Sequence, residues 1–309
     1  MGMAPTTAAE AQGKPTCAVL RSRVQWGFRA LISMVHVGGL SLAIGLAIIA
    51  SGRGQAPLTG DNRIVPIATA ACNAMKAHQV LGPRPPVGCD RLALVKFSYF
   101  DFGGAQHADG EVVVMDAAAK YVGQIFDSLS RLHFPIAKAR LMERYDGNDD
   151  ASMADNNTSA FNDREITGGD LPSLHAYGLA IDLNPVQNPF VTRDQATFTF
   201  NPPTGADYAN RLNDRPWKAP RAGMAEAVIG VFAQNGFLIW GGYWDSPIDY
   251  QHFQVSRQFA EQLAMKTPTE AQTAFDALVM RYRHCISTRT PGHDRTSCIV
   301  ASDPTTGQR

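Results

Sequence analysis

The sequence has no charge excess of either sign: its 309 residues carry 28 Lys and Arg against 28 Asp and Glu. A dedicated nucleic-acid binder would show a basic surplus, so that class is excluded as the main function. Cysteine is scarce, with five in all, and no two stand in a CxxC spacing. A thiolate metal site or a dithiol redox motif is therefore disfavoured. There is no internal repeat and no low-complexity tract, which excludes repeat architectures. Charged residues are only 18% and hydrophobic residues 45% of the chain. That mixture can bury a core and is unlike a disordered, solvating chain. The length suits one large domain or two small ones.

The most local absence is the most informative. Residues 30–51, from Ala30 to Ser51, contain no Asp, Glu, Lys or Arg. At about 1.5 Å rise per residue, such a run spans the roughly 30 Å bilayer core. Before it, Lys14, Arg21, Arg23 and Arg29 face Glu10 alone, a local charge of +3 that leaves −3 for the rest. Positive charge on that side predicts a cytoplasmic arm over 1–29 and a single-pass anchor over 30–51. The body is then exported, held at the inner membrane and facing the periplasm or the outside. A cleaved signal peptide, with Ala50, Ser51 and Gly52 at the cut, is the alternative. The apolar run exceeds the usual ~7–15-residue core of such peptides, which favours the anchor.

The cysteines agree with export. Cys17 precedes the anchor, and Cys72, Cys89, Cys285 and Cys298 follow it. An even number beyond an anchor predicts disulfides. Nearest-neighbour pairing, Cys72–Cys89 and Cys285–Cys298, closes two short loops. Three connectivities are possible, and sequence does not choose among them.

Along the exported part, residues 52–90 read as a linker and N-terminal disulfide segment, with a turn-rich break at 81–88. Strands are predicted at 92–102 and, after a turn at Ala108-Asp109-Gly110, at 111–115. Asp116 is placed to cap a helix to about His133, with Ala119, Val122, Ile125, Phe126 and Leu129 on one face. Residues 137–143 are a further strand candidate. Residues 145–172 and 186–220 are long polar loops, of the kind that is usually functional or disordered. A short apolar strand is expected at 178–183, a helix at 222–234, and strands at 237–240 and 250–255. Helices follow from Ser256 and from about Thr269 to Tyr282. Strand and helix mix without βαβ alternation, so the fold class is α+β. It is a small antiparallel sheet with flanking helices, preceded by one N-terminal transmembrane helix. The main domain is placed at 91–265, with a C-terminal helix and disulfide-closed tail at 266–309.

Chemistry concentrates in two segments, Ser173 to Asp182 and Asp249 to Phe253. Together they offer His175, Asp182 and His252, the three protein ligands that a catalytic zinc takes while keeping a position open. One Zn2+ per chain is expected. Strand alternation puts Asp182 and Ala180 on one face and Ile181 and Leu179 on the other. Gly178 and Ala180 are small, which keeps space open beside the metal. Asp249 is three residues before His252, an offset that points to the opposite face of an ideal strand. It serves the same site only if the strand starts near Tyr250 and Ser246-Pro247 curls the chain over. Asp249 would then take a proton from water and pass it to the leaving amine. A Tyr, Gly and Asp near a His equally suit a structural hydrogen-bond network. The remaining histidines, His36, His78, His107, His133, His284 and His293, show no defensible partner spacing.

The string Ser-x-His-x-x-Gly-x-Ala-x-Asp, followed by Asp-x-x-His, closely resembles the zinc D-alanyl-D-alanine carboxypeptidase family. That family includes D-Ala-D-Ala dipeptidases and L-alanyl-D-glutamate endopeptidases, and its fold is shared with hedgehog. The resemblance covers about residues 90–255. It includes Asn157 to Arg164, Asn184-Pro185 with Gln187-Asn188-Pro189, and Trp240 to Trp244. It implies zinc at His175, Asp182 and His252, Asp249 as general acid/base, and Arg164 at the oxyanion or substrate carbonyl. The partners it implies are peptidoglycan stem peptides, cut at a bond involving a D-amino acid, by carboxypeptidase or endopeptidase action. Ser173, Tyr243 and Trp244 are candidate substrate contacts, though capping by Ser173 and core packing by the aromatics are comparable readings. Asp163 stands where relatives often have Cys, and Gln254 where Glu is common, and both bear on the pocket. The alternative function is a non-catalytic zinc-binding envelope module of the same fold, which an intact Asp249 and Arg164 argue against.

Overall fold

The computed structural model describes residues 63–195, 197–288 and 295–307. The predicted arm and anchor over 1–51 lie outside the described residues. Among the described residues, no helix is long and apolar enough to cross a membrane.

The elements run β1 (Ile64–Pro66), α1 (Thr69–Ala77), β2 (Leu92–Phe100), β3 (Gln106–Met115), α2 (Asp116–Arg131) and α3 (Asp149–Ala154). Next come β4 (Ala180–Asp182), β5 (Phe190–Asp194), β6 (Thr197–Asn201), α4 (Ile229–Ala233), β7 (Ile239–Trp240), β8 (Ile248–Asp249) and β9 (His252–Gln254). Three helices finish the described chain: α5 (Arg257–Ala264), α6 (Pro268–Thr288) and α7 (Arg295–Ser302). The strands form three small antiparallel sheets, ordered β1-β2-β3, β4-β9-β7 and β6-β5-β8. The α+β class holds, with several small sheets in place of one.

The first sheet is the platform. In β2 the odd-numbered Val95, Phe97 and Tyr99 turn inward, as strand alternation requires. Helix α2 lays Tyr121, Val122, Ile125, Phe126 and Leu129 against them, and Phe126 stacks on Phe97 at 3.6 Å. Burying each large apolar side chain here contributes about 1.5–3 kcal/mol. Asp116 does not cap α2: Met115 holds that position without a side-chain bond. The Asp116 carboxylate instead pairs with buried Arg91 at 3.0 Å. Arg91 also donates to the carbonyls of Leu263 and Lys266, which ties the start of β2 to the end of α5.

Several expected boundaries shift, each for a local reason. The hairpin turn falls at 101–105, because the Asp101 carboxylate accepts the Gly103 and Ala105 N–H groups. Residues 137–143 form no strand. The Asn157 side chain occupies both backbone groups of Arg140, leaving a single bridge at Lys138. The helix expected at 222–234 is broken at Val228 (φ −125°), leaving a short 3₁₀ turn and α4. The polar excursion at 186–220 contains the β5–β6 hairpin, and the loop at 145–172 contains α3. Cys72–Cys89 and Cys285–Cys298 are the disulfides, with Cα separations of 5.9 and 5.6 Å.

Candidate metal centre and its cleft

Asp182 and His252 are direct cross-strand partners of β4 and β9. Residues so paired present their side chains to one face at close range, which brings a carboxylate and an imidazole together by register alone. His175 arrives from the 3₁₀ turn Leu174–Tyr177, and its N–H donates to the capping Ser173 hydroxyl. The turn ends at Gly178 with φ +65°. A Cβ there would stand 2.4 Å from the Met115 backbone nitrogen. Gly178 therefore lets β3 approach and turns the chain into β4. This replaces the expectation that its small size clears space for a metal.

The three side chains are buried. His175 Nε2 lies 3.2 Å from Asp182 Oδ2 and 3.2 Å from His252 Nδ1, and His252 Nδ1 lies 3.0 Å from Asp182 Oδ1. All three ligand atoms fall within 4.8 Å of one another. Ligands about 2.0–2.1 Å from a tetrahedral zinc stand about 3.3 Å apart, so the set fits such an ion. The outward nitrogens are also assigned. His175 Nδ1–H donates to the Ala160 carbonyl, and His252 Nε2–H donates to Gln254 Oε1 at 2.7 Å. Each imidazole thus keeps its lone pair for the shared centre, as outer-sphere acceptors of metal-ligating histidines do. Burial alone would raise the Asp182 carboxyl, but His175 and His252 outweigh it and hold it well below the usual carboxylate range.

The three-residue offset between Asp249 and His252 is resolved by a change of sheet. Asp249 belongs to β8 and pairs with Phe190 of β5, whereas His252 begins β9. Tyr250 and Gln251 make the turn between them. Burial, reinforced by the negative charge of Asp182, pushes the Asp249 carboxyl up to about 7. Among the described residues, its Oδ1 is buried without a hydrogen-bond partner, as are Arg164 Nε and Gln251 Oε1.

Those three atoms belong to residues lining one cleft of about 540 Å³, which His252, Ser173 and Trp244 also line. Arg164 donates to the Glu165 carbonyl and pairs through Nη2 with Asp149 Oδ2 at 2.7 Å. Trp244 leans on the His252 ring at 5.5 Å. Tyr243 is not in the lining; it is 60% exposed, packs its edge on Trp240 and meets Arg295. Asp163 turns away from the cleft and accepts the Gly82 N–H at 2.8 Å. Gln254 lines the cleft directly. Asn184 and Asn188 are buried clamps on the Pro135, Leu183 and Gly223 carbonyls. His78 and His107 pair with Asp146 and Asp101 away from the centre.

Sequence reasoning missed Asp149, Gln251 and Arg257. Asp149 sits in a polar run whose composition predicts a loop and not the short helix α3, so nothing in the sequence marks its direction. Gln251 lies between two recognised residues and carries no motif of its own.

An α+β protein with a buried two-His, one-Asp ligand set at the wall of a cleft is what the geometry defines. Residues 167–255 match the model of a family described as D-alanyl-D-alanine carboxypeptidase. The match spans all three ligands and Asp249. No curated protein and no solved structure matches the chain.

Proposed function

We propose that the protein is a zinc peptidase that hydrolyses peptidoglycan stem peptides at a bond involving a D-amino acid. The observation that carries this reading is the pairing of a satisfied ligand triad with orphaned polar atoms in the adjoining cleft. Buried polar groups without partners are costly, and here they belong to groups with hydrolytic uses.

His175 Nε2, Asp182 and His252 Nδ1 would hold the ion. When bound there, zinc supplies a Lewis acid and lowers the pKa of water. Asp249, held near neutrality, accepts a proton from the attacking water and delivers it to the departing amine. Arg164 Nε, lacking a partner, donates to the oxygen on which negative charge develops. Ser173 and Trp244 border the space for the peptide. We place this domain outside the cytoplasm on an anchor at residues 30–51, a reading supported by the charge-free run, its basic flank and the two disulfides.

The test is digestion of purified muropeptides by the zinc-supplemented protein, read by mass spectrometry, with Asp249→Ala as the control. Products shortened at a D-amino acid are expected from the wild type alone. Stoichiometric zinc with no cleavage of any muropeptide would sink the peptidase reading in favour of a non-catalytic zinc-binding module.

A further inference from the structure

The cleft contains two guanidinium groups, and they are not equivalent. Arg164 is matched by Asp149 at 2.7 Å, with side chains 27% and 24% exposed. Its charge is already answered, and Nε is its buried nitrogen without a partner among the described residues. Arg257, the first residue of α5, also lines the cleft. Its Nη2 donates to the Pro172 carbonyl at 3.0 Å, which fixes the fork. Among the described residues, the only carboxylate within ion-pair reach is Glu261, one helical turn away on α5, at 3.9 Å and half exposed. An exposed pair of that length contributes little and leaves the cation largely uncompensated.

Three of the four acids in the lining are already paired or buried. Asp149 holds Arg164, Asp150 accepts from Asn201 Nδ2 at 2.7 Å, and Asp249 is buried beside the ligand set. Glu165 makes no ion pair with Arg257 within 4.0 Å.

We propose that Arg257 is the carboxylate receptor of this cleft. It takes a carboxylate of the bound peptide in a two-point pair, for which a planar guanidinium is suited, while Arg164 serves the carbonyl under attack. The peptide nature of the ligand rests on the peptidase reading above. The carboxylate has two chemical sources, the free C-terminus of the peptide or an acidic group within it.

The experiment measures binding, by calorimetry, to the zinc-supplemented full chain carrying Asp249→Asn so that no turnover intervenes. Three synthetic stem peptides serve as probes: the free acid, its C-terminal amide, and the acid with its internal glutamyl carboxylate amidated. One amidation should weaken binding about tenfold or more, the range expected for a charged hydrogen-bonded pair, and which one does so identifies the source. Arg257→Gln should abolish that difference, and Arg164→Gln should preserve it. The proposal is overturned if both amides bind within twofold of the acid, if no probe binds, or if Arg257→Gln still discriminates. Should Arg257→Gln melt below the assay temperature, Arg257→Lys decides: the acid-to-amide ratio should fall at least threefold, and an unchanged ratio overturns the proposal. Hydrolysis is not read here, so failure of every muropeptide to be cut would remove the peptidase reading without altering this result.

Discussion

The two walls of the cleft are built on opposite rules. On the β4–β9 wall every inward and outward atom of the triad has a partner: Asp182 with both imidazoles, His175 with Ala160, His252 with Gln254. On the β8 and loop wall, Asp249 Oδ1, Gln251 Oε1 and Arg164 Nε are buried and unpaired among the described residues. A satisfied wall is rigid before any ligand arrives. An unsatisfied wall carries a desolvation cost that a ligand relieves. The first suits holding an ion, and the second suits meeting a substrate whose charge changes during reaction.

Substitutions should separate the walls by what they abolish. The largest effect is expected from Asp182→Ala. It removes one of three ligands and leaves two buried imidazoles facing each other, so metal content by elemental analysis should fall to background and hydrolysis with it. Stoichiometric metal in this variant would break the comparison. Asp249→Asn should leave metal content intact and lower kcat by about 10²–10⁴, the usual worth of a placed acid/base group. Metal loss in Asp249→Asn would place Asp249 on the wrong wall.

Gln254→Ala probes the outer edge of the first wall. Losing the acceptor for His252 Nε2–H frees the ring to turn or change tautomer, and zinc affinity by chelator competition should weaken about 10–100-fold. Gln254→Glu, which keeps an acceptor, should not weaken it. An Ala variant within twofold of wild type would show that the backbone alone orients His252.

The pH profile tests the second wall. Asp249 must be ionised to accept a proton, so kcat/KM should fall with acid along a limb at or below about 7. A dication held by the triad would pull that limb down by its charge, and the negative charge of Asp149 pushes it up. Asp149→Asn therefore moves the limb to lower pH. A limb that stays or rises would detach Asp149 from the reacting groups.

The legibility of the two walls in sequence differed for the same reason that their hydrogen bonding differs. His175, Asp182 and His252 lie on or beside strands, where period-two alternation and short spacing fix direction. Asp249 was readable only through its neighbours, because its strand belongs to another sheet and no local pattern announces the switch. Asp149 and Arg257 were invisible as site residues: one hides in a polar run, and the other opens a helix whose amphipathic pattern accounts for it. The broad elements were legible wherever an apolar period was long, as in α2 and α6. They failed where side chains such as Asp101 and Asn157 captured backbone groups that a strand or turn would otherwise use.

Ser173 stands at the junction of the walls, and the smallest predicted effect decides its side. Its hydroxyl accepts the His175 N–H at 3.3 Å, and it also lines the cleft. If it belongs to the scaffold, Ser173→Ala removes a cap worth about 0.5–1 kcal/mol at this length. A small drop in melting temperature should then accompany an unchanged KM. If it contacts the peptide, KM rises while stability holds. The buried position and the bond from the His175 N–H itself favour the scaffold role. A thermal melt and a KM measurement on the same preparation separate the two, and a raised KM at unchanged stability would move Ser173 to the reactive wall.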